Sequence, residues 1–213
     1  SLGKPRYGYS TRTHLGPIRR DVDALWDLAV HDISIFNHWL GEIPVQVQAQ
    51  GNSWLQPQIT TRLSPNGLAD IVWCQLRYPS RFQATIHLCW ANPDKQRRLA
   101  IVCDQGTLTF DEMNQNAPLI QQSSRLTQQD GWFIPQALEA KSISLSSAEP
   151  LKTVCNHFVK CIRENQPSRI SSAQTGTELV SVLAALSESM NKDGAWVTTK
   201  ISNNQRAIHE QPV

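Results

Sequence analysis

The sequence lacks the glycine-rich loops that hold nucleotide phosphates in many proteins. Its ten glycines are scattered, and their spacing contains neither Gly-x-Gly-x-x-Gly nor Gly-x-x-x-x-Gly-Lys-Ser/Thr. In such loops glycine lets backbone N–H groups approach a phosphate at the N-terminus of a helix. The nucleophile motif Gly-x-Ser-x-Gly is missing as well, which argues against an α/β-hydrolase. We therefore expect this chain to bind no dinucleotide cofactor by itself.

Patterns of metal ligands are also missing. The five cysteines form an odd-numbered set without a Cys-x-x-Cys pair, and the sequence contains no His-Glu-x-x-His. Three cysteines lie in apolar, strand-like runs, and the other two lie in one helix-like segment. We interpret them as buried, reduced thiols of a cytoplasmic protein and predict no metal site.

Long apolar runs and blocks of like charge are absent too. No stretch of about 18 apolar residues occurs, the first residues lack the apolar core of a signal peptide, and the net charge is only +2. We therefore expect neither a membrane nor a nucleic acid as a partner. With 213 residues, 40% of them hydrophobic, the chain can bury a core. We assign residues 1–200 to one domain and residues 201–213 to a loose C-terminal tail.

Helical periodicity is strongest in residues 21–40. Six apolar residues recur there on one narrow stripe: Val22, Leu25, Ala29, Ile33, Phe36 and Leu40. Gly41 is a natural helix stop, and Pro44 prevents continuation. Two further amphipathic helices are predicted at residues 150–164 and 176–191.

An alternation of period two predicts a sheet between these helices. Strands at 71–78 and 82–90, joined by a short link, should form an antiparallel hairpin, and strands at 98–103 and 107–110 a second one. Segments 6–14 and 45–50 could add strands, whereas 111–149 is predicted to be irregular, with at most a strand at 142–146. The fold class is therefore α+β, an open, mostly antiparallel sheet with its helices on one face.

Large apolar groups also lie on the nominal solvent face of this sheet. Trp73 and Ile71 share a strand face with Gln75 and Arg77. This pattern fits a surface that meets a partner, and it fits a plainly exposed tryptophan equally well.

The polar side of the first helix carries a candidate acid/base pair. Asp27, His31, Ser34 and His38 project within about 60° of one another at 100° per residue. Asp27 and His31 are four residues apart, close enough for the carboxylate to orient the imidazole. An ordinary solvated helix face has the same spacing. The dipeptide His31-Asp32 also occurs in helical metal phosphohydrolases, but those need further ligands on several helices, and most of the middle of this chain is β.

Three segments resemble a known family. Residues 12–33 read Arg-Thr-His-Leu-Gly-Pro-Ile-Arg-Arg-Asp-Val-Asp-Ala-Leu-Trp-Asp-Leu-Ala-Val-His-Asp-Ile. They closely resemble the C-terminal domain of the Gfo/Idh/MocA oxidoreductases, especially the nucleotide-sugar and amino-sugar dehydrogenases. The resemblance continues through Arg98–Phe110, with its Gly-x-Leu-x-Phe strand, and through the two closing helices at Leu151–Ser189.

The resemblance implies a site and partners. In such enzymes a Rossmann domain binds NAD or NADP, and the second domain contacts a sugar or nucleotide-sugar substrate and pairs its sheet in a homo-oligomer. By position, Asp27 and His31 match the catalytic Asp and His of the family, which act with a lysine from a Glu-Lys-Pro motif. Arg12, His14 and Arg19 lie in segments that border the substrate pocket. The two guanidinium groups would suit a phosphate or carboxylate, although surface arginines beside a loop would look the same.

The departure from the family is large, because both the Rossmann domain and the Glu-Lys-Pro lysine are missing. The chain begins at the domain crossover of the family, which favours a fragment of a longer protein over natural loss of the cofactor domain. We expect the chain alone to be inactive and read it as the substrate-binding and oligomerisation half of an NAD(P)-dependent sugar oxidoreductase. The alternative is a non-catalytic binding or assembly module that keeps the sheet as an interface.

Overall fold

A computed structural model describes residues 2–145 and 149–200, and these form one sheet and three helices. In chain order the elements are β1 Pro5–Leu15, α1 Ala24–Leu40, β2 Gln46–Asn52, β3 Ile71–Arg77, β4 Gln83–Cys89, β5 Ala91–Cys103, β6 Gly106–Asp111, β7 Leu119–Gln129, β8 Trp132–Ser142, α2 Pro150–Glu164, α3 Ala173–Met190 and β9 Val197–Thr198. The predicted tail at 201–213 lies outside the described residues. None of the described helices is long and apolar enough to cross a membrane.

The nine strands follow the order β8-β7-β6-β5-β1-β4-β3-β2-β9. Every neighbouring pair is antiparallel except β1 and β4, which run parallel. The α+β class and both predicted hairpins, β3–β4 and β5–β6, are confirmed. Strand β1 lies between β4 and β5, two strands that are adjacent in the chain. The N-terminal strand therefore occupies the middle of the sheet.

The prediction of irregular structure at 111–149 is wrong for residues 119–142. Strands β7 and β8 form a long antiparallel hairpin across Asp130 and Gly131, which both have positive φ, 50° and 83°. An Asp-Gly pair of this kind is a strong hairpin signal. Strand β7 is largely polar and exposed, and β8 begins with a run of exposed apolar residues, Trp132, Phe133 and Ile134, so neither strand shows the alternation that marks a half-buried strand. The strand suggested at 142–146 overlaps β8 only at Ser142, and residue 146 lies outside the described part of the chain.

Helices α1 and α3 begin at capping residues. The Asp23 side chain accepts a hydrogen bond from the backbone N–H of Trp26, so α1 starts at Ala24 rather than at residue 21, and Gly41 ends it with φ of 64°. Ser172 caps α3 in the same way by accepting from Thr175 N–H. The predicted start of the last helix at residue 176 was therefore three residues late, because the cap is Ser172.

The core lies between α1, α3 and one face of the sheet. Its largest fully buried side chains are Trp90, Phe36, Leu25, Ile33, Leu68, Leu76, Ile86, Leu88, Leu99, Leu186, Val47 and Val72. A Cβ atom at Gly8 of β1 would stand 2.6 Å from the Phe36 ring, so glycine is required for α1 to approach the central strand. The Trp26 indole N–H donates to Ser187 Oγ at 2.8 Å and ties α1 to α3.

Helix α2 has the predicted bounds but not a buried face. No residue of α2 is buried. Its apolar stripe is exposed by 63–70% at Leu151, Val154, Phe158 and Ile162. Amphipathic periodicity therefore located the helix correctly, yet the partner that this stripe needs is not among the described residues.

Candidate functional site

A cleft of about 430 Å³ lies between α1, β1, β5 and the residue that follows β6. The residues that line it are Arg12, His14, Leu28, His31, Ser34, Ile35, Arg97 and Glu112. Leu28 and Ile35 supply an apolar wall on α1, and the remaining six groups are polar or charged. Three of the five residues predicted for the site, Arg12, His14 and His31, thus meet in one cleft.

The sheet register places two guanidinium groups side by side. In the antiparallel β1–β5 pair, Arg12 stands opposite Arg97 on the face of the sheet that carries α1. Like charges directly opposite destabilise a strand pair unless they are compensated. Each arginine has its own carboxylate, Asp32 from α1 for Arg12 and Glu112, just after β6, for Arg97.

The Arg12–Asp32 pair is buried. Arg12 Nε donates to Asp32 Oδ2 at 2.8 Å and Nη2 donates to Oδ1 at 3.4 Å, with side-chain exposures of 8% and 0%. Burial raises the pKa of Asp32, and the Arg12 hydrogen bonds oppose that rise. Asp32 is therefore the counter-ion of Arg12. No metal-binding group of three or more His, Cys, Asp or Glu side chains occurs in the described part of the chain. Arg12 lines the cleft while the Nε–Nη2 edge of its guanidinium is bound to Asp32.

The Arg97–Glu112 pair is more accessible. Arg97 Nη1 donates to Glu112 Oε2 at 3.1 Å, and both side chains are about 40% exposed. The backbone holds the two residues together as well, because Glu112 N–H donates to the Arg97 carbonyl at 3.0 Å. The pair forms the wall of the cleft opposite α1.

His31 lies at the exposed surface of α1 and its ring lines the cleft. The pKa of His31 is lowered, chiefly by partial desolvation. The charges of Arg12 and Arg97 lower it further, whereas those of Asp32 and Asp27 raise it. The pKa of His14, across the cleft on β1, is lowered chiefly by desolvation and by Arg97. Both imidazoles are therefore neutral near pH 7 and can accept a proton.

Asp27 and Arg19 form a second pair beside the cleft. Asp27 is one turn from His31, and its Oδ1 accepts from Arg19 Nη1 at 3.3 Å. Arg19 also donates to Asp21 from Nε at 3.0 Å. Among the described contacts of Asp27, its hydrogen bond comes from Arg19 rather than from His31. The Asp27 charge nevertheless acts on both histidines, since it raises the pKa of each.

Sequence reasoning missed Asp32, Arg97 and Glu112 as members of the site. Asp32 had been considered only as a metal ligand, and nothing linked it to Arg12. Arg97 and Glu112 reach the cleft only because β1 pairs with β5, which no local pattern reveals. His38 lies outside the cleft lining.

The family model of the GFO/IDH/MocA C-terminal domain matches residues 3–109. That range contains every cleft residue except Glu112. No significant match was found among curated proteins.

Several solved oxidoreductases share the fold. UDP-N-acetylglucosamine 3-dehydrogenase GnnA from Acidithiobacillus ferrooxidans has a TM-score of 0.70 at 16% identity, over 90% of this chain and 55% of that one. An aldose-aldose oxidoreductase from Caulobacter crescentus, complexed with glycerol, has a TM-score of 0.67 at 18% identity, over 92% and 56%. A levoglucosan dehydrogenase, in complex with NADH and L-sorbose, has 0.69 at 16%, over 94% and 60%. The chain thus spans little more than half of the length of these structures.

Proposed function

Because the chain belongs to the GFO/IDH/MocA C-terminal domain family, we propose that it is the substrate-binding half of an NAD(P)-dependent oxidoreductase. The substrate is a sugar or nucleotide sugar, and the reaction interconverts one of its hydroxyl groups and the corresponding ketone. NAD or NADP, held by a domain outside this chain, accepts or supplies the hydride. In this proposal the described residues bind the substrate and handle its proton, and the chain alone is inactive.

The observation that carries the proposal is a neutral imidazole in a cleft lined by hydrogen-bonding side chains. His31 faces the cleft with a lowered pKa, so at neutral pH it can take the proton of a bound hydroxyl and become an imidazolium. Asp27, one turn away, favours that charged form. Arg12, Asp32 and the core beneath α1 fix the helix, so the imidazole is presented from a rigid element.

The hydroxyl groups of a sugar match the remaining lining. Glu112 accepts hydrogen bonds, Arg97 donates them, and the His14 imidazole can do either. The Ser34 hydroxyl donates to the His31 carbonyl at 2.7 Å, which leaves it as an acceptor. The apolar wall of Leu28 and Ile35 suits the C–H face of a sugar ring. Asp27 and Arg19 border this cleft and extend its polar surface towards the start of α1.

The second part of the proposal is a homo-oligomer formed by the sheet face opposite α1. Trp73 is 44% exposed there and stacks on His87, with ring centroids 5.6 Å apart. Tyr7 and Tyr9 are exposed on the same face of β1. A non-catalytic assembly module would use this face as well, so the face alone does not decide between the two functions.

Turnover of a full-length protein that includes a cofactor domain decides between the oxidoreductase and the non-catalytic module. We expect His31→Ala to lower kcat for sugar oxidation by about 10²–10⁴-fold, the usual loss for a positioned acid/base group. Formation of NADH or NADPH, followed by absorbance, measures this. His38→Ala is the matched control, because His38 is an exposed histidine on the same helix outside the cleft. Unchanged kcat in His31→Ala, with kcat of the control also unchanged, would contradict the assignment of His31.

A further inference from the structure

Every arginine that reaches the cleft is already matched by a carboxylate. Arg12 is held by Asp32 through two hydrogen bonds, and Arg97 by Glu112 through one. Arg19, at the margin, is held by Asp21 and Asp27. The lining with its direct partners therefore carries two guanidinium and two carboxylate groups, Arg12 and Arg97 against Asp32 and Glu112, and their formal charges cancel.

A nucleotide sugar needs a different surface. Its diphosphate is bound by guanidinium forks, ammonium groups or free backbone N–H groups with a surplus of positive charge. Arg12 adds no surplus positive charge, because its guanidinium is compensated by the fully buried Asp32 carboxylate at 2.8 Å. The two histidines add no positive charge near pH 7, since the pKa of each is lowered. Lys95 lies outside the lining, and its charge lowers the pKa of His14. Asp94, next to Lys95 in the chain, carries the opposite charge.

We propose, on the basis of the proposed function, that the cleft takes an uncharged sugar in preference to a nucleotide sugar, and that Glu112 sets this preference by compensating the charge of Arg97. The pair offers an acceptor and a donor side by side, which fits two neighbouring hydroxyl groups. Removing the carboxylate charge leaves Arg97 free to bind an anion. Glu112 is thus a specificity-determining residue, and Arg97 is the group whose charge it masks.

The test uses the chain itself and inorganic pyrophosphate as the probe. Nuclear magnetic resonance signals of the Arg97 Nε–H and of the His14 and His31 rings are followed at pH 7 and constant ionic strength. We expect the wild-type chain to show no saturable shift up to about 10 mM pyrophosphate. We expect Glu112→Gln to bind pyrophosphate with a dissociation constant on the order of 1 mM or below, at least tenfold tighter than the wild type. Both side chains of the pair are accessible, and dispersed backbone signals verify the fold of the variant.

Two further variants distinguish the effect of the Arg97–Glu112 pair from a general effect of net charge. Asp94→Asn changes the net charge by the same amount on the same strand, three residues from Arg97, and we expect it to behave like the wild type. The double variant Arg97→Gln/Glu112→Gln should lose the pyrophosphate binding that Glu112→Gln gains. Saturable binding by the wild type, or equal binding by Asp94→Asn and Glu112→Gln, would overturn the inference. The proposed function is tested separately, since failure to oxidise any sugar would overturn it whatever the pyrophosphate result.

Discussion

At the scale of single residues, the Arg12–Asp32 pair makes a sharp prediction about stability. Arg12→Met should lower the free energy of unfolding by about 3–5 kcal/mol, because it leaves a fully buried carboxylate without a partner. The double variant Arg12→Met/Asp32→Leu should recover most of that loss, since an apolar pair needs no compensation. Urea denaturation of both variants measures the difference. A double variant no more stable than Arg12→Met would show that the pair is not the reason for the loss.

The imidazole of His31 makes a second prediction at this scale. Its pKa should lie below the ordinary value of 6.5, because of desolvation and the neighbouring guanidinium groups. Arg97→Gln removes a positive charge and should raise this pKa, whereas Asp27→Asn removes a negative charge and should lower it. Histidine ring titration by nuclear magnetic resonance checks both signs. Shifts of the same sign in the two variants would contradict the charge arrangement.

The linkage to stability follows from the direction of the shift. The unfolded chain binds a proton at His31 more readily than the folded one, so this histidine stabilises the fold above pH 6.5. The contribution is lost as the pH falls through the lower folded pKa. His14 acts in the same direction, since its pKa is also lowered.

At the scale of elements, the sequence predicted what depends on local periodicity and missed what depends on pairing at a distance. The apolar stripe of α1, its stop at Gly41 and the hairpins β3–β4 and β5–β6 all follow from neighbouring residues. The central position of β1 does not, because it requires residues 5–15 to pair with strands near residues 83–103. The hairpin β7–β8 was not predicted because both strands are largely exposed and neither alternates apolar with polar residues. The lining of the cleft could not be predicted in full for the same reason, because Arg97 and Glu112 reach it only through the pairing of β1 with β5.

Helix α2 is expected to be less stable than α1, because it has no buried residue. It has 15 residues and none of them is buried, and a helix of that length is marginal in water without tertiary packing. We expect its backbone amides to exchange with solvent at least about 100-fold faster than those at the centre of α1. Hydrogen–deuterium exchange with peptide-level mass spectrometry measures both helices in one sample. Protection of α2 equal to that of α1 would mean that its apolar stripe is covered in the isolated chain.

At the scale of the whole molecule, the sheet face opposite α1 has a regular pattern of exposed groups. Successive rows across β3, β4 and β1 are Trp73, His87 and Thr11, then Gln75, Thr85 and Tyr9, then Arg77, Gln83 and Tyr7. Aromatic groups thus occur in all three rows, mixed with polar ones and with few charges. Such a surface suits a self-complementary interface between two copies, in which each copy contributes the same face.

Trp73→Glu should weaken the association of this face with a second copy. A carboxylate at the centre of an interface loses its hydration when the copies meet, which opposes association. Sedimentation should therefore show the wild type as a dimer or higher oligomer at concentrations on the order of 100 µM and the variant shifted towards monomer. Trp132→Glu is the matched control, because Trp132 is also an exposed tryptophan, 77% accessible, on the edge strand β8. A wild-type chain that stays monomeric, or equal behaviour of the two variants, would rule out this face as the interface.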